Sequence, residues 1–178
     1  MSAIRGRAWK YGDDVSTDVI FPGKYTYTIT EPKEMATHAL EDLDPGFVHA
    51  VKANDIIVAG KNWGCGSSRE QAVTCLKESG VGAIIAKSFG RIHYRNCVNS
   101  ALPALTCAEA VDAIKDGEVI EVDLAAGEIR CQAGVFRFPS LPEQVITILD
   151  AGGLIPYTKN KLSMIQSNSG VRDTNKHG

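Results

Sequence analysis

Residues 55–86 read DIIVAGKNWGCGSSREQAVTCLKESGVGAIIA, and this stretch decides the fold. The apolar runs at residues 55–59 and 83–86 are short and bounded by turn residues, which is typical of buried strands. Between them, residues 69–79 carry apolar side chains at helical spacing, and Gly80 suits the end of a helix. The stretch therefore predicts a strand, a glycine-rich turn, a helix and a second strand.

The alternation of strands and helices continues beyond this stretch. A helix is predicted at residues 91–100, and a third strand starts within residues 102–105. Strands that alternate with helices pair in parallel through right-handed crossovers, so we expect an α/β domain with a mainly parallel core. The other predicted elements are a strand at 4–11, a helix at 31–43, antiparallel strands within 119–131 (turning at Ala126-Gly127) and at 135–138, and a helix at 142–149.

The chain of 178 residues is long enough for one domain with a sizeable core. We predict that the domain occupies residues 1–160. Residues 161–178 are polar and rich in serine and asparagine, so we expect a loosely ordered C-terminal tail.

Composition excludes several classes of partner. The net charge of −2 gives no electrostatic reason to expect nucleic acid or an anionic membrane surface. No apolar run approaches the roughly 18 residues of a membrane span, and the first residues lack the apolar block of a signal peptide. We therefore expect a cytoplasmic protein that binds neither nucleic acid nor membrane.

The cysteines are five in number and widely spaced: Cys65, Cys75, Cys97, Cys107 and Cys131. An odd number without a C-x-x-C pair predicts neither a disulfide framework nor a zinc ribbon. An iron–sulfur cluster held by this chain alone would need closer thiolates. We interpret the cysteines as free thiols, with Cys65 set apart because it lies inside the glycine-rich turn.

The turn between the first two strands of this stretch, residues 60–69, has the composition of an anion site, and we call it the glycine–serine turn. Glycines allow a ligand to approach the backbone, and a helix N-terminus favours negative charge. Arg69 suits bidentate capture of a carboxylate. One alternative stays open: Ser67 or Ser68 is merely the helix cap, with Glu70 or Gln71 completing a capping box. The sequence is neither a Walker loop nor a nucleophile elbow.

Two longer motifs carry a resemblance to a known family. GKNWGCGSSREQAV (60–73) is followed by GAIIAKSFGRIHYRNCVNSALPAL (82–105), and WKYGDDVSTDVIFPGKY (9–25) precedes both. In this order they resemble the small subunit of the aconitase-related dehydratases, over about residues 6–150. The resemblance implies a swivelling domain with a three-layer β/β/α arrangement. It also implies a heterodimer with a large subunit that carries a [4Fe–4S] cluster, so that this chain binds no metal.

The resemblance also implies a reaction and site residues. The family dehydrates and rehydrates a hydroxy di- or tricarboxylate, which moves a hydroxyl group between adjacent carbons. By position, Ser67 matches the family's catalytic base, Arg69 the carboxylate-binding arginine, and Ser68 lies beside them as a substrate-binding residue. We expect three further positions to orient the loop: Asp18, Gly66 and Cys65. Taken from the residues alone, Asp18 is equally consistent with a turn cap.

Lys24, Tyr25 and Thr26 occupy the family's specificity segment, so we expect them to bind substrate. Leucine-pathway members often have Ala-Arg-Tyr-Leu where this chain has Gly-Lys-Tyr-Thr. We expect a 3-isopropylmalate dehydratase small subunit of leucine biosynthesis, with a homoaconitase or a dimethylmalate/citramalate-type dehydratase as alternatives. Gln71 stands where many members have histidine, so no imidazole role transfers to it.

Some residues and functions stay open at this stage. The start of the helix at 91–100 is basic and aromatic, which fits either a partly solvated helix or a contact with the large subunit; its residues are Arg91, His93, Tyr94 and Arg95. His38, His49 and His177 match no metal spacing and are predicted to be surface residues. Two other functions compete with the hydro-lyase: a carboxylate-binding module without chemistry, and a hydrolase that uses Cys65 as nucleophile.

Overall fold

The computed structural model describes residues 3–170, which contain seven strands and eight α-helices. The strands are β1 (Ile4–Lys10), β2 (Ile56–Ala59), β3 (Ala83–Ala86), β4 (Ala104–Thr106), β5 (Val119–Asp123), β6 (Glu128–Cys131) and β7 (Gly134–Arg137). The helices are α1 (Thr17–Ile20), α2 (Pro32–Ala36), α3 (Phe47–Ala50), α4 (Gln71–Glu78), α5 (Arg91–Asn99), α6 (Ala108–Ala113), α7 (Glu143–Asp150) and α8 (Leu154–Gly170). A short 3₁₀ helix covers Gly23–Tyr25.

The strands form one sheet in the order β4-β3-β2-β1-β5-β6-β7. Strands β1 to β4 pair in parallel, and Ile57 in β2 lies between Trp9 in β1 and Ile84 in β3. Strands β5, β6 and β7 continue the sheet from β1 in antiparallel pairs. The predicted parallel core and the predicted antiparallel hairpin are therefore confirmed.

Alternate residues of the central strands enter two separate hydrophobic clusters. Ile57 and Ile84 point into a cluster with residues of α1, α2, α4 and α5 on one face of the sheet. Ile56 and Ile85 point into a second cluster that contains α6 and the inner residues of β5 and β6, such as Ile129. The alternation follows from the two-residue period of a strand. The parallel strands thus lie between a helical layer and a curled antiparallel layer, which confirms the predicted fold class.

The helix predicted at residues 31–43 is wrong beyond Ala36. Helix α2 ends there, and turns follow up to Leu43. Leu40 adopts a positive φ of 56° and is fully buried, and its N–H donates to the carbonyl of Ile20 at 2.8 Å. Packing of Leu40 in the core and its bond to the end of α1 outweigh the local helix propensity, which sequence alone cannot anticipate.

The tail expected to be loosely ordered from residue 161 is helical as far as Gly170. It continues α8, which starts at Leu154 and contacts α7 and α5. Residues 171–178, including His177, lie outside the described residues. Among the residues that are described, no helix is long and apolar enough to cross a membrane.

Asp55 links the first two strands through a buried network of hydrogen bonds. Its carboxylate accepts from the backbone N–H of Arg7 at 3.0 Å, from the Trp9 indole at 3.0 Å and from the backbone N–H of Lys52 at 2.9 Å. Asp55 itself is only 4% exposed. A buried donor that is left without an acceptor destabilises the folded state by its desolvation penalty, about 1–3 kcal/mol.

We expect Asp55→Ala to lower the free energy of unfolding by roughly 3 kcal/mol or more, because three donors lose one acceptor. Urea denaturation followed by circular dichroism measures this loss. Asp116→Ala is the matched control, since Asp116 is exposed and accepts one bond, from the Lys10 backbone. Equal losses in the two variants would contradict the role given to Asp55.

Candidate functional site

Three loops meet at the carboxyl ends of the parallel strands. They follow β1 at residues 11–16, β2 at residues 60–70 and β3 at residues 87–90. In open α/β sheets this edge is where ligands bind, because loops from neighbouring strands converge there. The glycine–serine turn is the middle loop of the three.

Backbone hydrogen bonds fix the glycine–serine turn on both sides. The N–H of Gly64 donates to Val15 at 2.8 Å, and the N–H of Trp63 donates to Ser88 at 3.0 Å. The N–H of Gly90 returns a bond to the Trp63 carbonyl at 2.7 Å. The indole of Trp63 is fully buried beneath the turn. The first half of the turn is therefore joined by backbone hydrogen bonds to the loops on both sides, although the turn lies at the surface.

Gly64 and Gly66 both have positive φ, at 75° and 98°. A side chain is strained in this region of backbone space. At Gly64 there is also no room, because a Cβ would lie 2.2 Å from the ring of His93. The predicted role of Gly66 in shaping the turn is consistent with its backbone conformation.

His93 packs beneath Gly64 and is 1% exposed. Neither ring nitrogen has a hydrogen-bond partner among the described residues. Burial disfavours the charged imidazolium and lowers the pKa of His93 to about 4. His93 is therefore a neutral packing residue, while Arg91 and Arg95 on the same helix are exposed, so α5 is a partly solvated helix, one of the two possibilities that the sequence left open.

The serine hydroxyls do not cap α4, so the cap hypothesis is wrong. The helix begins at Gln71, and Glu70 occupies the cap position without a side-chain bond. Ser67 and Ser68 are exposed, and within residues 3–170 neither hydroxyl has a hydrogen-bond partner. The backbone N–H groups of residues 66–69 likewise donate to no described residue. The turn thus presents two hydroxyls and a run of open donors, as an anion site requires.

Arg69 is held in place by Asp18 in α1 and by Thr26, which directly follows the 3₁₀ helix. Its Nη2 contacts Asp18 Oδ1 at 2.5 Å, and its Nη1 donates to Thr26 Oγ1 at 2.9 Å. The guanidinium lies against Gly23, where a Cβ would be 3.1 Å from Nη1. These contacts use two of its five N–H groups and leave the others for a ligand. Asp18 therefore orients Arg69, although sequence analysis assigned it only to the loop.

The other two residues of the specificity segment, Lys24 and Tyr25, contact Glu41 and not Arg69. Lys24 Nζ donates to Glu41 at 2.9 Å, and the Tyr25 hydroxyl donates to the same carboxylate at 3.1 Å. His38 Nδ1 lies 2.5 Å from Glu41. The bonds from His38 and Lys24 lower the pKa of Glu41 to about 2. Thr26 therefore belongs to the Arg69 group, whereas Lys24, Tyr25 and His38 belong to a cluster around Glu41.

All five cysteines are free thiols, as predicted. Cys65 accepts a backbone bond from Thr17 at 2.8 Å, which joins the turn to α1, while its thiol has no described hydrogen-bond partner. Burial raises the pKa of the Cys75 and Cys97 thiols well above the ordinary value. Among residues 3–170, no group of three or more His, Cys, Asp or Glu side chains could hold a metal ion.

Sequence reasoning missed two residues that position the site. Asn96 in α5 donates from Nδ2 to the carbonyl of Ser68 at 3.3 Å, and so ties the turn to α5. Glu41 gathers Lys24 and Tyr25, as described above. Asn96 acts across 28 residues of chain, and Glu41 reaches Lys24 and Tyr25 across 17 and 16 residues, so these contacts carry no local signal; only the His38–Glu41 pair is local. His49 is exposed, as predicted.

Comparison with known proteins places this geometry in a family. The model of the aconitase C-terminal domain matches residues 15–110. The chain belongs to the aconitase C-terminal domain family. Within it, the similar proteins include small subunits of 3-isopropylmalate dehydratase, which confirms the resemblance seen in the motifs.

The individual matches cover nearly the whole chain. The 3-isopropylmalate dehydratase small subunit of Caldicellulosiruptor bescii is 49% identical over 161 residues, 89% of this chain and 96% of the relative. The isopropylmalate/citramalate isomerase small subunit of Methanocaldococcus jannaschii is 45% identical over 93% of this chain and 99% of the relative. The crystal structure of 3-isopropylmalate dehydratase (LeuD) from M. jannaschii has a TM-score of 0.88 and 45% identity, covering 94% of this chain and 99% of that one.

The buried neutral His93 predicts a loss of stability in acid. Its pKa is 6.5 when unfolded and about 4 when folded, so the unfolded state binds more protons in between and stability falls as pH drops through this window. The loss is about 2.5 kcal/mol at pH 4.5. We expect His93→Phe to abolish this part of the pH dependence, measured by urea denaturation at pH 7.5 and 4.5. His49→Phe, at an exposed position, should behave like the wild type; equal acid losses in all three proteins would contradict the assignment.

Proposed function

We propose that this chain is the small subunit of a hydro-lyase that isomerises isopropylmalate by dehydration and rehydration. The observation that carries the proposal is Arg69, fixed by Asp18 and Thr26 beside an exposed Ser67 whose hydroxyl has no described partner. Family membership supports the reaction, and the names of the relatives support the substrate. An anchored arginine beside a free hydroxyl is what binding and deprotonating a hydroxycarboxylate requires.

The proposal includes a large subunit that holds a [4Fe–4S] cluster. The relatives are named as small subunits, which supports a large-subunit partner, whereas the cluster is implied by the family resemblance alone. The described residues of this chain do not fit a cluster, because Cys75, Cys97 and Cys107 are buried in the core and no metal-binding group is present among them. In the assembled enzyme the cluster supplies a Lewis acid for the substrate hydroxyl. The part played by this chain is to bind the substrate and move a proton.

The residues of the turn divide this work between them. Arg69 pairs with a substrate carboxylate through its remaining N–H groups, which fixes the adjacent carbon relative to Ser67. Ser67 Oγ takes the proton from that carbon and returns it on rehydration. The open N–H groups of residues 66–69 stabilise the negative charge that Ser67 needs to act as a base. Ser68 adds a further donor to the carboxylate.

The specificity segment supports isopropylmalate in part. Ile29, the aliphatic side chain closest to the segment, packs in the hydrophobic core and cannot contact the substrate. Tyr27 is 95% exposed and offers an aromatic surface next to Thr26. We assign the contact with the isopropyl group to Tyr27. Lys24 would have to leave Glu41 before it could bind a third carboxylate, which argues against a homoaconitate-type substrate.

A carboxylate-binding module without chemistry would use the same Arg69 geometry. Turnover after mixing with the large subunit and iron separates the two functions, because a binding module gives none. The Cys65 hydrolase has no support in the described residues, since no histidine lies within hydrogen-bond distance of the Cys65 thiol.

Ser67→Ala tests the proposed base directly. We expect kcat of the reconstituted enzyme on isopropylmalate to fall by roughly 10² to 10⁴, with KM little changed. Ser68→Ala is the neighbouring control and should mainly raise KM. A Ser67→Ala enzyme with near-normal kcat would remove Ser67 from the reaction.

Thr26 tests the positioning of Arg69. Thr26→Val keeps the shape of the side chain but removes the acceptor for Nη1, so we expect KM for isopropylmalate to rise about tenfold, roughly 1.4 kcal/mol, with a smaller change in kcat. Thr26→Ser keeps the hydroxyl and should restore KM. If valine and serine give the same KM, the Thr26 bond does not position Arg69.

A further inference from the structure

We propose that the outer face of α5 is the docking surface for an acidic segment of the large subunit. This surface consists of Arg91, Ile92 and Arg95 with Asn62 and Gly66 of the glycine–serine turn, and we call it the Arg91 face. The inference rests on the proposed function in one respect only: it assumes the large-subunit partner.

Two exposed arginines lie one helical turn apart on this face. Arg91 and Arg95 form no ion pair with any described residue, whereas Arg69, Arg130 and Arg137 all pair with carboxylates. Like charges four residues apart on a helix repel each other. The isolated chain therefore carries an uncompensated positive charge on the Arg91 face.

The position of Arg91 at the start of the helix is unfavourable as well. Arg91 is the first residue of α5, Gly90 caps the helix without a side-chain bond, and the first turn contains no acidic residue. The N-terminal end of a helix favours negative charge, so a cation there is unfavourable. A carboxylate from a partner would pair with the arginines and complement the helix end at the same time.

The shape and apolar content of the Arg91 face favour a protein over a small anion. Ile92 is 48% exposed between the two arginines. The face borders a cavity of about 510 Å³, lined by Asn62, Gly64, Cys65, Gly66, Gly90, Arg91, Ile92 and Arg95. An open cavity of this size accepts one or more side chains, and an exposed isoleucine gains from contact with an apolar group. A charged rim around an apolar contact is typical of a protein interface.

The Arg91 face is also continuous with the candidate active site. Cys65 and Gly66 line the cavity and directly precede Ser67. Asn96, on the same helix, donates to the carbonyl of Ser68. A partner that docks on this face therefore reaches the turn that carries the proposed base, as a subunit that completes the active site must do.

Charge reversal tests the proposal. We expect Arg91→Glu/Arg95→Glu to raise the Kd for the purified large subunit at least tenfold, measured by isothermal titration calorimetry. The dependence of Kd on salt between 50 and 300 mM should weaken, because interfacial ion pairs are screened by salt. At saturating large subunit, kcat on isopropylmalate should stay within about twofold of the wild type.

The matched control is Arg5→Glu/Lys115→Glu, which makes the same change in net charge. Arg5 lies near the start of β1, at the opposite end of the sheet from the turn, and both side chains are exposed. The Kd of this control variant for the large subunit should match that of the wild type. If circular dichroism shows that the double glutamate variant is unfolded, Arg91→Gln/Arg95→Gln takes its place, with an expected rise in Kd of about fivefold.

Two results would overturn the proposal: an unchanged Kd, and an equal rise in Kd for the control. An unchanged Kd with a large fall in kcat would in addition make the arginines substrate ligands. Failure of the proposed function is a separate outcome. A wild-type complex that assembles but does not turn over isopropylmalate would refute that substrate, while the effect on Kd would still support the docking surface.

Discussion

The backbone of Trp63 and Gly64 hydrogen-bonds to the loops on both sides, and the candidate site depends on these bonds. Val15 accepts from Gly64, and Ser88 accepts from Trp63. Parallel pairing of β1, β2 and β3 brings the three loops to the same edge of the sheet, but pairing alone would leave them free to move. The cross-loop bonds extend the ladder beyond the strands, so that residues of the turn keep a fixed position relative to α1 and α5.

The packing that holds the turn has a free-energy cost at His93. An imidazole without a hydrogen-bond partner is buried against the Gly64 backbone, where its charged form is disfavoured. The left-handed backbone at Gly64 and Gly66 adds no steric strain, because glycine lacks a Cβ. The indole of Trp63 is fully buried under the turn, and its Nε1 likewise has no hydrogen-bond partner among the described residues. The turn exposes the N–H groups of residues 66–69 and the hydroxyls of Ser67 and Ser68. These groups are available to a ligand because the bonds that hold the turn come from Trp63 and Gly64.

The sequence predicts the sheet better than the site. Short apolar runs such as Ile56–Ala59 and Ala83–Ala86 are typical of buried strands, and their alternation with helices favours a parallel sheet. The Ser67-Arg69 motif identified the turn by its resemblance to a family. The partners of Arg69 could not be derived, because Asp18 and Thr26 lie more than forty residues away and meet it only in the folded chain. The same limit explains two errors, which are the helix predicted through Leu40 and the serine caps of α4. In both places the folded structure depends on contacts that local sequence patterns do not contain.

At this end of the molecule, several N–H donors and arginine side chains lack an acceptor or a counter-charge among the described residues. The N–H groups of residues 66–69 have no described acceptor, Arg69 keeps donors in reserve, and Arg91 and Arg95 repel each other beside a helix end that favours anions. In the proposed complex, a substrate carboxylate would supply this negative charge at Arg69 and a partner carboxylate would supply it at Arg91. The two charges would lie on adjoining elements, with Arg69 at the end of the glycine–serine turn and Arg91 at the start of α5. Cys65 and Gly66 line the cavity beside Arg91 and directly precede Ser67, so a partner docked on the Arg91 face would reach the turn that carries the proposed base.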